Sequence, residues 1–115
     1  MDIALLTFLS LALTGLLFAG LSIPLLLGKI PPNSWYGFRT RLTLSDPQIW
    51  YPVNAWGARR LLWIGALSVV AGAVCWLLPK SWLAGYLLVV SALWVGALIA
   101  VLVWGVKYAR RLAGA

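Results

Sequence analysis

The sequence predicts an all-α membrane protein with three transmembrane helices, and three observations carry that prediction. Of its 115 residues, 63% are hydrophobic and only 10% charged, a balance too apolar for the surface of a small soluble domain. Three segments, 3–27, 61–78 and 82–106, each supply the run of about 20 apolar residues that crosses a hydrocarbon core. Between the first two lies one polar, proline-punctuated stretch, 28–60, in an otherwise apolar chain. A chain of this length is expected to form a single domain, 1–115.

The first segment starts behind acidic Asp2 and is longer than the apolar region of about 7 to 15 residues in a signal peptide, so it reads as a retained helix. Pro24 removes one backbone donor near its end and frees the carbonyl of Gly20. Pro31 and Pro32 are expected to end the helix, Asn33 and Ser34 to form a turn, and Gly37 to allow a positive φ. "TLSDPQIW" then reads as a helix start, with Ser45 as cap, Gln48 three residues on, and Asp46 and Pro47 in the first turn. From there Trp50, Asn54, Gly57 and Leu61 recur at helical spacing. They predict a short amphipathic helix that lies along the membrane or runs into the second span, with a bend at Pro52.

Helices in lipid associate where small residues let backbones approach. Gly15 and Ala19 in the first span, Gly65, Ser68 and Gly72 in the second, and Ala92, Gly96 and Ala100 in the third form such stripes. They are expected to face one another in an antiparallel three-helix bundle; a homodimer seam is the alternative.

Net charge is +7, with nine Lys and Arg against two acidic residues and no His. Lys29, Arg39, Arg41, Arg59, Arg60, Lys107, Arg110 and Arg111 fall on one side of a three-span layout, and Lys80 and Asp2 on the other. The positive-inside rule puts the 28–60 loop and the C-terminus in the cytoplasm and the N-terminus outside. Topology and attraction to anionic lipid headgroups account for the charge without nucleic acid. Trp35, Tyr36, Trp50, Tyr51, Trp56, Trp104 and Tyr108 are expected to form the inner interfacial belt, with Trp82 and Tyr86 in the outer one. Trp63, Trp76 and Trp94 are expected between helices.

Catalysis by hydrolysis or group transfer needs a base, paired carboxylates or a metal site. With no His or Glu, and with Asp2 and Asp46 on opposite sides, none can be assembled, so no enzyme, cofactor or metal is expected. Proton-coupled transport lacks a carboxylate inside any span. The lone Cys75 reads as a small apolar side chain.

"IPPNSWYGFRTRLTLSDPQIWYPVNAWGARR" closely resembles the signature of the SdpI family of small bacterial membrane proteins. The matching positions are Pro31, Asn33, Gly37, Arg39, Thr40, Thr43, Trp50, Asn54 and Gly57. Arg41 stands where the family has a proline, and Pro52 interrupts a helix usually free of it. The chain resembles the C-terminal portion of the longer members. The family is named for an immunity protein that guards a producing bacterium against its own secreted peptide toxin. The resemblance therefore implies a multi-pass protein of the bacterial cytoplasmic membrane, acting without catalysis in immunity to a membrane-active peptide or in envelope stress signalling. Its partners would be anionic lipid, a peptide toxin, or a membrane or cytoplasmic protein. A structural or assembly factor binding anionic lipid or a larger complex is the alternative, ahead of small-molecule transport. Arg39 has two readings at this stage: contact with a headgroup, peptide or partner through its planar guanidinium, or knitting of the loop through Asn33, Asn54 or helix-end carbonyls.

Overall fold

The computed structural model describes residues 2–114; positions 1 and 115 of the expected domain lie outside them. Helix α1 spans Ile3–Leu26, a short α2 spans Arg41–Ser45, α3 spans Pro47–Val74 and α4 spans Leu83–Leu112. Single 3-10 turns at Cys75–Leu77 and Lys80–Trp82 join the last two. Three helical stretches, Ile3–Leu26, Pro47–Leu77 and Lys80–Leu112, are long and apolar enough to cross a membrane. The fold is that of an all-α membrane protein.

The helix ends follow local chemistry. Asp2 caps α1, its carboxylate accepting from the amide of Ala4. At the other end Gly28 takes a left-handed φ of 70°. Its amide bonds the carbonyl of Leu25, and that of Lys29 bonds Pro24, the paired pattern of a glycine-terminated helix. Thus α1 stops at Leu26, before the proline pair expected to end it, because Gly28 supplies the backbone conformation that closes the last turn. Pro24 sits inside this final stretch without ending the helix.

The second span differs from expectation in two details. Its cap is Asp46, not Ser45: Asp46 is extended and accepts from the amide of Gln48 at 2.8 Å. Pro47 fixes this, because it favours the first helical position and holds its predecessor extended. Ser45 instead closes α2, donating to the carbonyl of Leu42. Second, no break follows Pro52. It falls in the second turn of a continuous 28-residue α3, and the amide it lacks would have bonded the carbonyl of Gln48, an exposed residue. The motif residues from Trp50 to Gly57 therefore lie on the membrane helix itself.

Helices α1 and α3 run antiparallel and pack along their length. A Cβ on Gly15 would lie 2.4 Å from the carbonyl oxygen of Gly65, and one on Gly65 would lie 2.6 Å from that of Gly15. Gly72 is less tight: a Cβ there would lie 3.2 Å from the carbonyl oxygen of Phe8. The two stripes read from the sequence thus meet backbone to backbone, where dispersion has no side chain to hold it off.

Helix α4 is attached otherwise, at three levels. At the 79–82 end, Leu83 is buried with Ala4 and Cys75, and the Tyr86 hydroxyl donates to the carbonyl of Ala71 at 2.6 Å. In the middle, the Trp94 indole N–H donates to Ser68, and its ring meets Phe18 edge-on at 4.6 Å. At the loop end, Ala109 packs with Ile49 and Val53, and the Phe38 ring lies over Gly105. Between these levels, cavities of about 220 and 240 Å³ flank Trp94. The expected third stripe is not part of the bundle: Ala92, Gly96 and Ala100 are exposed, and a Cβ on Gly96 would meet nothing within 4 Å. The Trp94 indole, as a spacer, keeps α4 from the approach that small residues permit. Trp63 and Trp76 also face outward, 68% and 50% exposed.

Candidate functional site

The loop end of the bundle gathers the motif. Asn33 organises the turn after the prolines: its side-chain oxygen accepts from the amides of Trp35 and Tyr36 at 2.9 and 2.6 Å, and its amide donates to the carbonyl of Pro31 at 2.8 Å. The Tyr36 hydroxyl donates to the carbonyl of Leu21, tying the turn back to α1. Gly37 follows with a φ of 104°. A side chain there would be strained, and its Cβ would lie 2.7 Å from the Asn54 oxygen.

Asn54 and Trp50, one turn apart on α3, hold the far side of the loop. The Asn54 oxygen accepts from the amide of Phe38 at 2.5 Å, and its NH2 donates to the carbonyls of Trp50 at 2.9 Å and Phe38 at 3.5 Å. One buried side chain thus satisfies both polar groups of a loop residue, as a neighbouring strand would. Trp50 is fully buried at 0% exposure and donates its indole N–H to the carbonyl of Ile30 at 2.8 Å. It is a pillar of the loop, not a member of the interfacial belt in which its residue type placed it. Thr40 and Thr43 form a reciprocal cap on α2, with Thr43 Oγ1 accepting from the Thr40 amide at 2.7 Å.

Arg39 and Pro31 stand on the exposed surface. The Arg39 guanidinium donates to the carbonyl of Ser34, not to Asn33 or Asn54, so it braces one turn from outside while Asn54 occupies the centre. Two contributors lie outside the motif positions. Tyr36 and Phe38 anchor the loop to α1 and α4, and no spacing rule links Phe38 to a glycine far down the chain. A long apolar helix interrupted by Gly105 near its charged end was the available hint of a close approach.

Enclosed by the loop, α1 and α3, with Val101 of α4 at its edge, is a cavity of about 250 Å³. Gly37, Asn54 and Gly57 line it together with Phe18, Leu25 and Phe38. On α3 and α4, outside its lining, cations lie over aromatic faces: Arg60 over Trp56 at 4.0 Å, Lys107 over Trp104 at 4.6 Å and Arg111 over Tyr108 at 5.9 Å. Trp56 and Tyr108 join the α3 and α4 members at 6.0 Å.

The family model of the SdpI/YfhL protein family matches residues 29–106, from the start of this loop nearly to the end of α4. The chain belongs to the SdpI/YfhL protein family. No curated protein and no solved structure matches it significantly. The matched region takes in the locked loop and its two α3 pillars, Trp50 and Asn54, while the α1 wall of the cavity, with Phe18, Ser22 and Leu25, lies before it.

Proposed function

We propose that this chain is a non-catalytic immunity-type protein of a bacterial cytoplasmic membrane, holding a membrane-active peptide at the loop end of its bundle. One observation carries the reading: the motif residues fix the walls of a cavity and leave its interior open. Asn33, Trp50, Asn54 and Tyr36 spend their hydrogen bonds on backbone groups of the loop and helix ends, so the surface is organised before anything arrives. The chemistry on offer is contact and hydrogen bonding, because Asp2 and Asp46 lie at opposite ends and the other acidic and imidazole side chains that catalysis uses are missing from the sequence. The family resemblance supplies the class of partner. Envelope stress signalling would be the same occupancy read by a second membrane or cytoplasmic protein.

Expression in a strain sensitive to such a peptide tests the reading. Survival is expected with the wild type and is expected to fall with Asn54→Ala at equal membrane levels; unchanged survival at confirmed wild-type expression removes immunity to that peptide. The proposed orientation, with loop and C-terminus cytoplasmic, follows the basic residues. Single cysteines at Ser34 and Ser81, both exposed, are expected to be protected and reactive toward outside reagents respectively, against a buried Cys75. The opposite labelling inverts the protein.

A second reading, an assembly factor that holds anionic lipid, is favoured by the cation and aromatic pairs on α3 and α4. Headgroup phosphates would sit among Lys107, Arg110 and Arg111. Neutralising those three residues is then expected to strip co-purifying anionic lipid in native mass spectrometry without touching survival.

A further inference from the structure

Gly57 sits in mid-helix and is buried, yet a Cβ placed on it would meet nothing within 4 Å. A glycine inside a helix costs about 1 kcal/mol relative to alanine, and close packing explains the other buried helix glycines. Gly15, Gly65 and Gly72 meet a facing backbone, and Gly105 meets the Phe38 ring. Gly20, Gly85 and Gly96 also have open space, but they are exposed on the outer surface. Gly57 alone among the described helix glycines combines burial with emptiness, and the emptiness is the cavity at the motif. What its missing side chain preserves is room.

The size and lining of that room define an occupant. An apolar cavity of about 150 Å³ takes one benzene ring, so one of about 250 Å³ takes a single substituted or fused ring. Its wall contains Phe18 and Tyr36, with the exposed Trp35 at its rim, surfaces that favour edge-on contact with another ring. Apart from the Trp35 indole at the rim, three polar side chains line it, and each has already given its hydrogens to backbone carbonyls. Ser22 donates to Phe18 at 2.6 Å, Tyr36 to Leu21, and Asn54 to Trp50 and Phe38. Lone pairs remain on these oxygens, so they can accept and cannot donate. A lipid tail leaves such acceptors unused, whereas a ring bearing one N–H or O–H satisfies one of them. We infer that the cavity is a recognition pocket for an indole or phenol ring, the Trp or Tyr side chain of a membrane-inserted peptide. The peptide as the source of that ring rests on the immunity reading; the selectivity of the pocket does not.

The test uses the full chain in detergent micelles and 19F NMR of 5-fluoroindole, with 5-fluoro-1-methylindole as the probe lacking the donor. Saturable binding above that of empty micelles is expected for the first, and about tenfold weaker binding for the second, since a polar site rejects a ligand that leaves it unpaired. Gly57→Leu is expected to abolish saturable binding with an unchanged or raised Tm. Ser22→Ala, which removes one of the three acceptors, is expected to weaken 5-fluoroindole more than its methylated analogue and so narrow the gap between the probes. Equal binding of the two probes to the wild type, undiminished binding by Gly57→Leu, or a lowered Tm for that variant each overturns the pocket. Survival assays on the same proteins separate the two readings. Protection by the wild type without fluoroindole binding sinks the pocket and leaves immunity standing. Fluoroindole binding without protection leaves an aromatic pocket and removes the peptide as its source.

Discussion

Two helix contacts in this bundle carry the same sequence signal and reach opposite outcomes. Between α1 and α3, small residues at helical spacing meet backbone to backbone, with Gly15 and Gly65 facing each other. On α4, Ala92, Gly96 and Ala100 form an equally good stripe that faces outward, while the helix is held by Leu83, Trp94, Gly105 and Ala109. A stripe of small residues permits close approach, and bulky side chains elsewhere on the helix decide whether the approach happens. Trp94 decides it for α4, standing between helices with open space on either side.

The largest expected effect lies at the closest contact. Gly65→Leu places a side chain 2.6 Å from the backbone oxygen of Gly15, and neither partner can move it aside without parting the helices. The expected loss exceeds about 3 kcal/mol, at the upper end of overpacking costs, read as a large fall in Tm in detergent. A fall no greater than that of an ordinary lipid-facing substitution would mean that the seam is looser than the backbone contacts describe.

Next comes the residue that couples the two regions. Asn54 belongs to α3, but the Phe38 whose backbone it satisfies puts its ring on Gly105 of α4. Asn54→Ala leaves the amide and carbonyl of Phe38 without their partner, a cost of about 1–3 kcal/mol. Hydrogen exchange is expected to rise in the loop and in the 105–112 end of α4 while the Gly15 and Gly65 region stays protected. Uniform loosening of all three helices would show that the seam and α4 are one cooperative unit.

Much of this was legible in the sequence because it depends on local rules. Bilayer thickness fixes the spans, so the three apolar runs fall on α1, α3 and α4, although α3 begins at Pro47, well before the run that starts at residue 61. The 3.6-residue repeat puts Trp50, Asn54 and Gly57 on one inward face, and paired stripes on the first two spans found each other. Local rules failed where two of them competed. Ser45 with Gln48 looked like a cap, but Pro47 set the register one residue later; Gly28 closed α1 before the prolines could. Long-range outcomes were illegible for another reason. Lipid supplies no hydrophobic drive that tells an inward apolar face from an outward one, so Trp63, Trp76 and the α4 stripe could not be sorted by composition, although Trp94 does lie between helices as expected. Charge did not locate the centre of the loop: Arg39 braces one turn through Ser34, whereas Asn54, a neutral amide, satisfies a donor and an acceptor at once.

Trp94→Phe sharpens the comparison at lower cost. It keeps a ring beside Phe18 and deletes the N–H donated to Ser68, and hydrogen bonds between membrane helices average about 0.6 kcal/mol. A small drop in Tm is therefore expected, with the spacing of α4 from α1 and α3 maintained as read by distance measurements between spin labels. Were the spacing to widen, the hydrogen bond to Ser68 and not the packing of the ring on Phe18 would be holding α4 in place.

The smallest expected effect falls on the stripe that has no partner within the chain. Gly96→Leu adds a side chain where nothing lies within 4 Å, and it replaces a poor helix former with a good one, worth about 0.8 kcal/mol in an exposed helix. In a monomeric bundle the leucine meets only lipid or detergent, which solvates it as well as any neighbour could, so Tm should stay level or rise slightly. The same substitution at Gly65 is expected to be ruinous, and the contrast between two glycines on equivalent stripes isolates backbone contact from residue type. A drop in Tm comparable to that of Gly65→Leu, together with a lower mass in native mass spectrometry, would place a second helix against α4. The three attachment levels would then describe only half of what holds that helix in place.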